Sequence, residues 1–458
     1  MNQRRGATGA VHAMSTIGTV GKTSASAHVA DCRPGRIGAT GGGLPRAGMS
    51  AAEALRRADR AALAQALQDT RARTLALFDA YQHALPLLHV PQHAWLNPPL
   101  WELGHIGWFQ GYWTTRYSQW RRGALADPHA PRTPAARAQS DALYDSSHVP
   151  HATRWTLALP SAAATQADLA RQLDATLALL QSADDGDDAA LYFFRLAVLH
   201  EDMHAEAAVY MAQSLGFALD DAATGALPVS DAGAVAGTRA SLKLPAQRHR
   251  LGSEPTGFAF DNELCAHEVA LAAFEIDASP VRWRDYLPFV DSGGYDEPRW
   301  WDAAGRAWRA TQAAEDNPLP RFLRRVDGIW QHCAHGVWQP LDLDQAAVHL
   351  TAHEAQAWCR WAGRRLPTEA EWECAALTFG PAFKWGAVWE WTADSFAPYP
   401  GFTPHPYRDY SAPWFGATHR VLRGASHATA ARLRHPRYRN FFTPERNDIF
   451  AGFRSCAA

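Results

Sequence analysis

Residues 190–206 read Ala-Leu-Tyr-Phe-Phe-Arg-Leu-Ala-Val-Leu-His-Glu-Asp-Met-His-Ala-Glu, and the reading of this run decides the fold. It holds neither Gly nor Pro, and its apolar residues recur at helical spacing, which predicts a helix. On a helix His200 and His204 project from one face, so that a ring nitrogen of each can reach one metal ion. Histidines in pairs are commonly hydrogen-bonded core or surface residues. The i, i+4 spacing is what favours a metal here. Two imidazoles leave an ion short of ligands, and a third has to come from a neighbouring helix.

Helical patterns fill residues 51 to about 217. The first runs from about 51 to 85, with Ser50 as its N-cap, and stops before Pro86. The second begins at Asn97-Pro98-Pro99, a cap followed by proline in the first turn, and continues to about 120. The third follows Pro160-Ser161 to about 182, and the fourth runs from about 187 to Gly216. Four such helices predict a four-helix bundle, whose core is a usual place for a metal site. In the second helix His105 shares a face with Trp101, Trp108, Phe109 and Tyr112 and so points inward. Spacing alone leaves two readings for it, a third metal ligand or a hydrogen-bonded core histidine.

The 458 residues are enough for two or more domains, and 47% hydrophobic with 20% charged residues is the composition of a soluble globular protein. A net charge of -2 offers nucleic acid or an anionic membrane nothing to bind, and no apolar run is long enough to span a bilayer. The six cysteines include no C-x-x-C pair, which argues against a zinc ribbon and reads as reduced thiols in a cytoplasmic protein. Residues 1–48, rich in Gly, Ala, Ser and Thr, lack a signal peptide's apolar core and are expected to be a disordered extension ahead of a start at Met49. The bundle then occupies 49–219. A small-residue linker follows over 220–240, and 241–458 form an irregular α+β domain of short strands and loops with one clear helix, His353 to Gly363. The 19 Trp suit aromatic-walled pockets as well as cores.

His200-Glu201-x-x-His204 also matches the H-E-x-x-H of zinc proteases, in which the Glu is the general base. That reading wants a further ligand downstream, yet no acid separates Glu206 from Asp220, so the context argues against it. Three imidazoles without a carboxylate leave metal positions open, which suits a zinc-bound water or an Fe(II) that binds O2. Spacing does not choose between them.

Gly104-His105-Ile-Gly-Trp108-Phe109 and His200-Glu-Asp-Met-His204-Ala-Glu206 are joined further on by Phe258-Ala-Phe-Asp261-Asn262-Glu263 and the long run Trp358 to Trp372. Val388-Trp-Glu-Trp391, Tyr399-Pro-Gly-Phe402, Pro406-Tyr407-Arg-Asp-Tyr410-Ser411, Val421-Leu-Arg423-Gly424 and Ile449-Phe-Ala-Gly-Phe453-Arg follow in order. On these motifs residues 50–458 resemble the ergothioneine-type synthases, a DinB-like four-helix bundle fused to a formylglycine-generating-enzyme-like, C-type-lectin-like domain. The resemblance implies that His105, His200 and His204 bind Fe(II), and that O2 is used to join a chalcogen to the imidazole C2 of hercynine. It places Tyr407, with Tyr410 beside it, as the phenol that gives a proton or an electron in the O2-dependent step. It also places Asn440 and Phe441 in the pocket for the betaine, where an aromatic face suits a quaternary ammonium.

Two departures from the sulfur enzymes bear on the donor. Arg439-Asn440-Phe441-Phe442 stands where they read Arg-Asn-Trp-Asp, and Met203 stands where they carry Gln. Phe442 cannot pair with the ammonium of a cysteine or γ-glutamylcysteine donor. Both changes fit a donor without an amino-acid head group, and the wording is similar to that of the selenoneine synthases, which take a selenosugar. The cysteine pair of formylglycine-generating enzymes is missing near Arg437-Tyr438, which argues against sulfatase activation, and no methyltransferase domain of the ovothiol branch is expected. The rivals are a sulfur-using hercynine sulfoxide synthase, a zinc hydrolase and a non-catalytic binding module.

Overall fold

The computed structural model describes residues 49–220, 240–314 and 319–458. The expected extension over 1–48 lies outside the described residues, as does all but the two ends of the expected linker. The first helical pattern is two helices, α1 (Ala51–Arg56) and α2 (Arg60–Ala84). The break comes at Asp59, whose extended backbone and side chain, accepting from the Ala62 N–H, start a new helix. Freed from α2, α1 packs on the C-terminal half, where the Arg56 guanidinium donates to both Glu263 oxygens at 2.7 and 2.9 Å.

α3 (Pro99–Trp113) ends short of residue 120, because the Thr114 hydroxyl turns back to the Gln110 carbonyl and the chain leaves the helical region. A short α4 (Ser140–Tyr144) precedes α5 (Ala162–Leu180), which is capped by Ser161. α6 (Asp188–Leu215) runs between the Asp187 cap and Gly216, whose φ of 79° closes the helix in the left-handed region. α6 packs against α2 and α3, and α5 against α3.

The C-terminal half carries β1 (Ser241–Leu244), β2 (Gln247–Leu251), β3 (His267–Leu271), β4 (Phe274–Asp277), β5 (Leu323–Val326), β6 (Ile329–Ala334) and β7 (Val337–Pro340). β8 (Arg364–Arg365), β9 (Trp389–Ser395), β10 (Arg420–Gly424), β11 (Asn440–Phe442), β12 (Ala451–Gly452) and β13 (Cys456–Ala457) complete it. One sheet has the order β1-β4-β13-β8 and another β11-β10-β9-β12, while β2-β3 and β5-β6-β7 form smaller antiparallel sheets. The expected helix is present as Ala352–Trp361, and three others accompany it among the described residues: Trp283–Asp291, Ala303–Ala314 and Glu369–Phe379. Pro288 inside the first masks its periodicity. The last is started by a capping box between Thr368 and Glu371.

Every side chain of α6 from Ala190 to Ala207 is buried. One face meets α2 and α3 and the other meets the C-terminal half, so a single apolar cluster runs from Leu63 and Phe109 through Met203 to Trp389, Phe442 and Phe453. Cys333, Cys359, Cys374 and Cys456 are buried and take part in no disulfide. Cys265 departs from the expectation of reduced thiols: it is disulfide-bonded. Among the described residues no helix is long and apolar enough to cross a membrane.

Candidate metal centre

α3 and α6 bring His105, His200 and His204 together, and a nitrogen from each lies within 4.8 Å of the others. All three are buried. The Nε2 atoms of His200 and His204 face each other at 3.2 Å, the spacing of two imidazoles that share one ion at about 2.0–2.1 Å. The outer nitrogens of two of the rings are anchored. His105 donates from Nδ1 to the Tyr144 carbonyl at 2.8 Å, and His204 Nδ1 meets Glu102 Oε2 at 2.5 Å. With Nδ1 protonated, each of these rings turns its Nε2 lone pair toward the centre. The third ring, His200, stacks on Phe109 at 3.5 Å between centroids. The donor set fits a divalent transition metal with open positions.

Glu102 is the residue that the sequence reading missed. It sits one turn before His105, on the same helix face, and its second oxygen accepts from Asn97, which in turn accepts from Arg154. Burial pushes its carboxyl up, but the His204 charge and hydrogen bond, with His105 and Arg154, outweigh that and bring it to about 2. Burial, and after it the neighbouring His204, hold His105 down at about 3, so its imidazole is neutral at physiological pH.

Glu201 faces away from the histidines. Arg71 grips its carboxylate at 2.8 and 3.1 Å in the bundle core and also donates to Gln110 and the Leu169 carbonyl. A carboxylate so held cannot serve as the general base that the protease motif requires.

Tyr407 and Tyr410 approach this centre from the C-terminal half. The Tyr407 ring stands edge-on to Phe109 at 4.9 Å and to His200 at 6.4 Å. Tyr410 donates toward Met203 Sδ at 3.9 Å and shares a hydrogen bond of 3.0 Å with the Tyr438 hydroxyl, itself 3.4 Å from that sulfur. Burial keeps both phenols well above their ordinary pKa, so both hold their protons at neutral pH. Asp261 brackets the segment that carries them, accepting from the His405 N–H at one end and the Ser411 hydroxyl at the other.

Met203, Asn440 and Phe442 line one cavity between α6 and the second sheet, with Tyr210, Trp389 and Tyr438 as further aromatic walls. Glu206 is the acid in it, and one of its oxygens accepts from Trp389, Ser426 and Thr429. Phe441 is not part of this lining. Strand alternation on β11 turns it to the other face, where it stacks on Phe396 at 4.0 Å. Tyr438 and Glu206 carried no separate signal in the sequence, because their role depends on what the two halves place opposite them.

Residues 236–387 and 378–458 match the family described as a sulfatase-modifying factor enzyme 1-like domain. The hercynine oxygenase of Mycolicibacterium thermoresistibile is 34% identical over 450 residues, spanning 86% of this chain and 94% of that protein. The hercynine oxygenase of Mycobacterium tuberculosis is 32% identical, spanning 86% of this chain and 97% of that protein. The formylglycine-generating enzyme of Streptomyces coelicolor is 27% identical over 48% of this chain and 89% of its own length. With about a third of its residues shared along nearly the whole length of the two oxygenases, the chain belongs to the hercynine oxygenase family.

Proposed function

We propose that this chain is a non-haem iron enzyme that uses O2 to form a carbon–selenium bond between a selenosugar and the imidazole C2 of hercynine. His105, His200 and His204 would hold Fe(II), which supplies the O2 chemistry when bound. Support for this reading comes from the three convergent imidazoles, which carry no competing carboxylate, and from the family. The trimethylammonium of hercynine suits the part of the cavity walled by Trp389, Tyr438 and Tyr210, where aromatic faces and the Glu206 charge attract a cation that donates no hydrogen bond. Tyr407, protonated and close to His200, is positioned to deliver a proton.

The observation that carries the choice of selenium is Phe442. It lies in the cavity under the Arg446 guanidinium, 4.9 Å from the ring, where the sulfur enzymes would present an acid to an amino-acid donor. Met203 likewise offers a thioether to the Tyr410 and Tyr438 hydroxyls in place of an amide. A hercynine sulfoxide synthase with a cysteine or γ-glutamylcysteine donor is the second reading, favoured by the identity of the relatives.

A competition assay tests it. Protein prepared without oxygen is given Fe(II), hercynine, selenosugar, γ-glutamylcysteine and cysteine, then air, and the products are read by mass spectrometry. A selenium adduct at the imidazole that needs both iron and O2 is the expected result. A sulfoxide adduct alone overturns the selenium assignment and leaves the sulfur reading.

A further inference from the structure

α2, α3 and α6 line a partly open cavity of about 40 Å³ on the bundle side of His204. This is room for more than one water-sized molecule, since a single water needs only about 10–15 Å³ by the same measure. Its walls are Leu77, Phe78, Leu103, Ile106 and Met211, and the His204 ring forms part of the boundary. The polar groups in that boundary are largely engaged. The Tyr81 hydroxyl donates to the Ala208 carbonyl at 2.7 Å, and both Glu102 oxygens are taken by Asn97 and His204. The Thr74 hydroxyl alone among these groups has no partner among the described residues. A bound water wants two to four polar partners, so an ordered water is poorly served here, while a small apolar molecule loses nothing.

We propose that this cavity takes up dioxygen and holds it against the rear of the His204 ring, as a feed for the metal centre separate from the cavity used by the organic substrates. The inference rests on the iron and O2 reading above. The two cavities share no lining residue: Met203 and Glu206 line the one toward the C-terminal half, whereas His204, Ala205 and Ala208 line this one. A neutral diatomic molecule partitions into apolar space, and the separation lets it arrive while hercynine and donor fill the other side of α6.

Ala208 lines this cavity and is absent from the lining of the other, so Ala208→Phe fills the space from outside the substrate cavity. Xenon under pressure, followed by 129Xe NMR on the full-length protein, should bind the wild type and be lost in the variant. The KM for O2 should rise by about threefold or more in Ala208→Phe, with the KM for hercynine and the iron content unchanged. Should Ala208→Phe fail to fold, the smaller Ala208→Leu is measured in the same way. Absence of xenon binding in the wild type, or an unchanged O2 KM in a folded filled variant, overturns the proposal while O2 uptake by the wild type leaves the iron reading standing. Xenon binding without O2 uptake under any donor overturns the iron reading and the feeding role with it.

Discussion

The carboxylate of Glu102 lies 2.5 Å from Nδ1 of His204 and ties α3 to α6 beside the three clustered imidazoles. Burial raises its carboxyl, but the interaction and hydrogen bond with His204 bring it to about 2, and it remains an anion across the physiological range. It orients the ring and raises the basicity of Nε2.

Glu102→Gln should therefore weaken Fe(II) binding by roughly 10–100-fold while the protein stays folded. Titration of the apoprotein with Fe(II) under anaerobic conditions measures this. An unchanged affinity rejects the orienting role.

Arg71 and Glu201 form a buried pair across α2 and α6. Arg71→Met strands the Glu201 charge in the core and should cost about 3–5 kcal/mol in denaturant unfolding, whereas Arg71→Met with Glu201→Leu should recover much of that. Equal losses in the single and double variants would contradict the account.

Asp261 is pushed up to about 7, first by burial and further by Glu263, against the hydrogen bonds from Ser411 and His405. Its folded value lies above the unfolded one near 3.9, so the folded state binds the proton more tightly. The stability this gives is complete below about pH 4 and is lost as pH rises toward 7, with a slope approaching ~1.4 kcal/mol per pH unit. Asp261→Asn should flatten that slope in thermal or denaturant melts taken between pH 4 and 7; a variant with the wild-type slope rejects the assignment.

Tyr407→Phe keeps the ring against Phe109 and His200 and removes the hydroxyl alone. Hercynine affinity should hold, and product should fall or divert to another oxidation product by mass spectrometry. An unchanged product profile would remove Tyr407 from the proton-delivering role.

Phe442→Asp places a carboxylate in the substrate cavity, where a charged hydrogen bond to an ammonium is worth ~1.5–3 kcal/mol. In the competition assay the ratio of selenium to sulfur product should fall about tenfold or more. A ratio that does not move would show that Phe442 does not set donor choice.

What the sequence by itself determined is what depends on near neighbours along the chain. The caps at Ser50, Ser161 and Asp187, the stop at Gly216, and the helix that sets His200 and His204 on one face all act within a turn or so of the residue concerned. His105 could be placed facing inward by the same periodicity, but not brought to the pair. Only the tertiary structure decided that it meets them, that Glu102 reaches His204 from another helix, and that Arg71 removes Glu201 from the chemistry. The same holds for Phe441 and Phe442: alternation says that they face opposite ways, and only the packing of β11 against α6 says which one enters the cavity. These outcomes turn on burial and on groups brought together from residues more than ninety positions apart in the chain, and α6, enclosed by both halves, is where they converge.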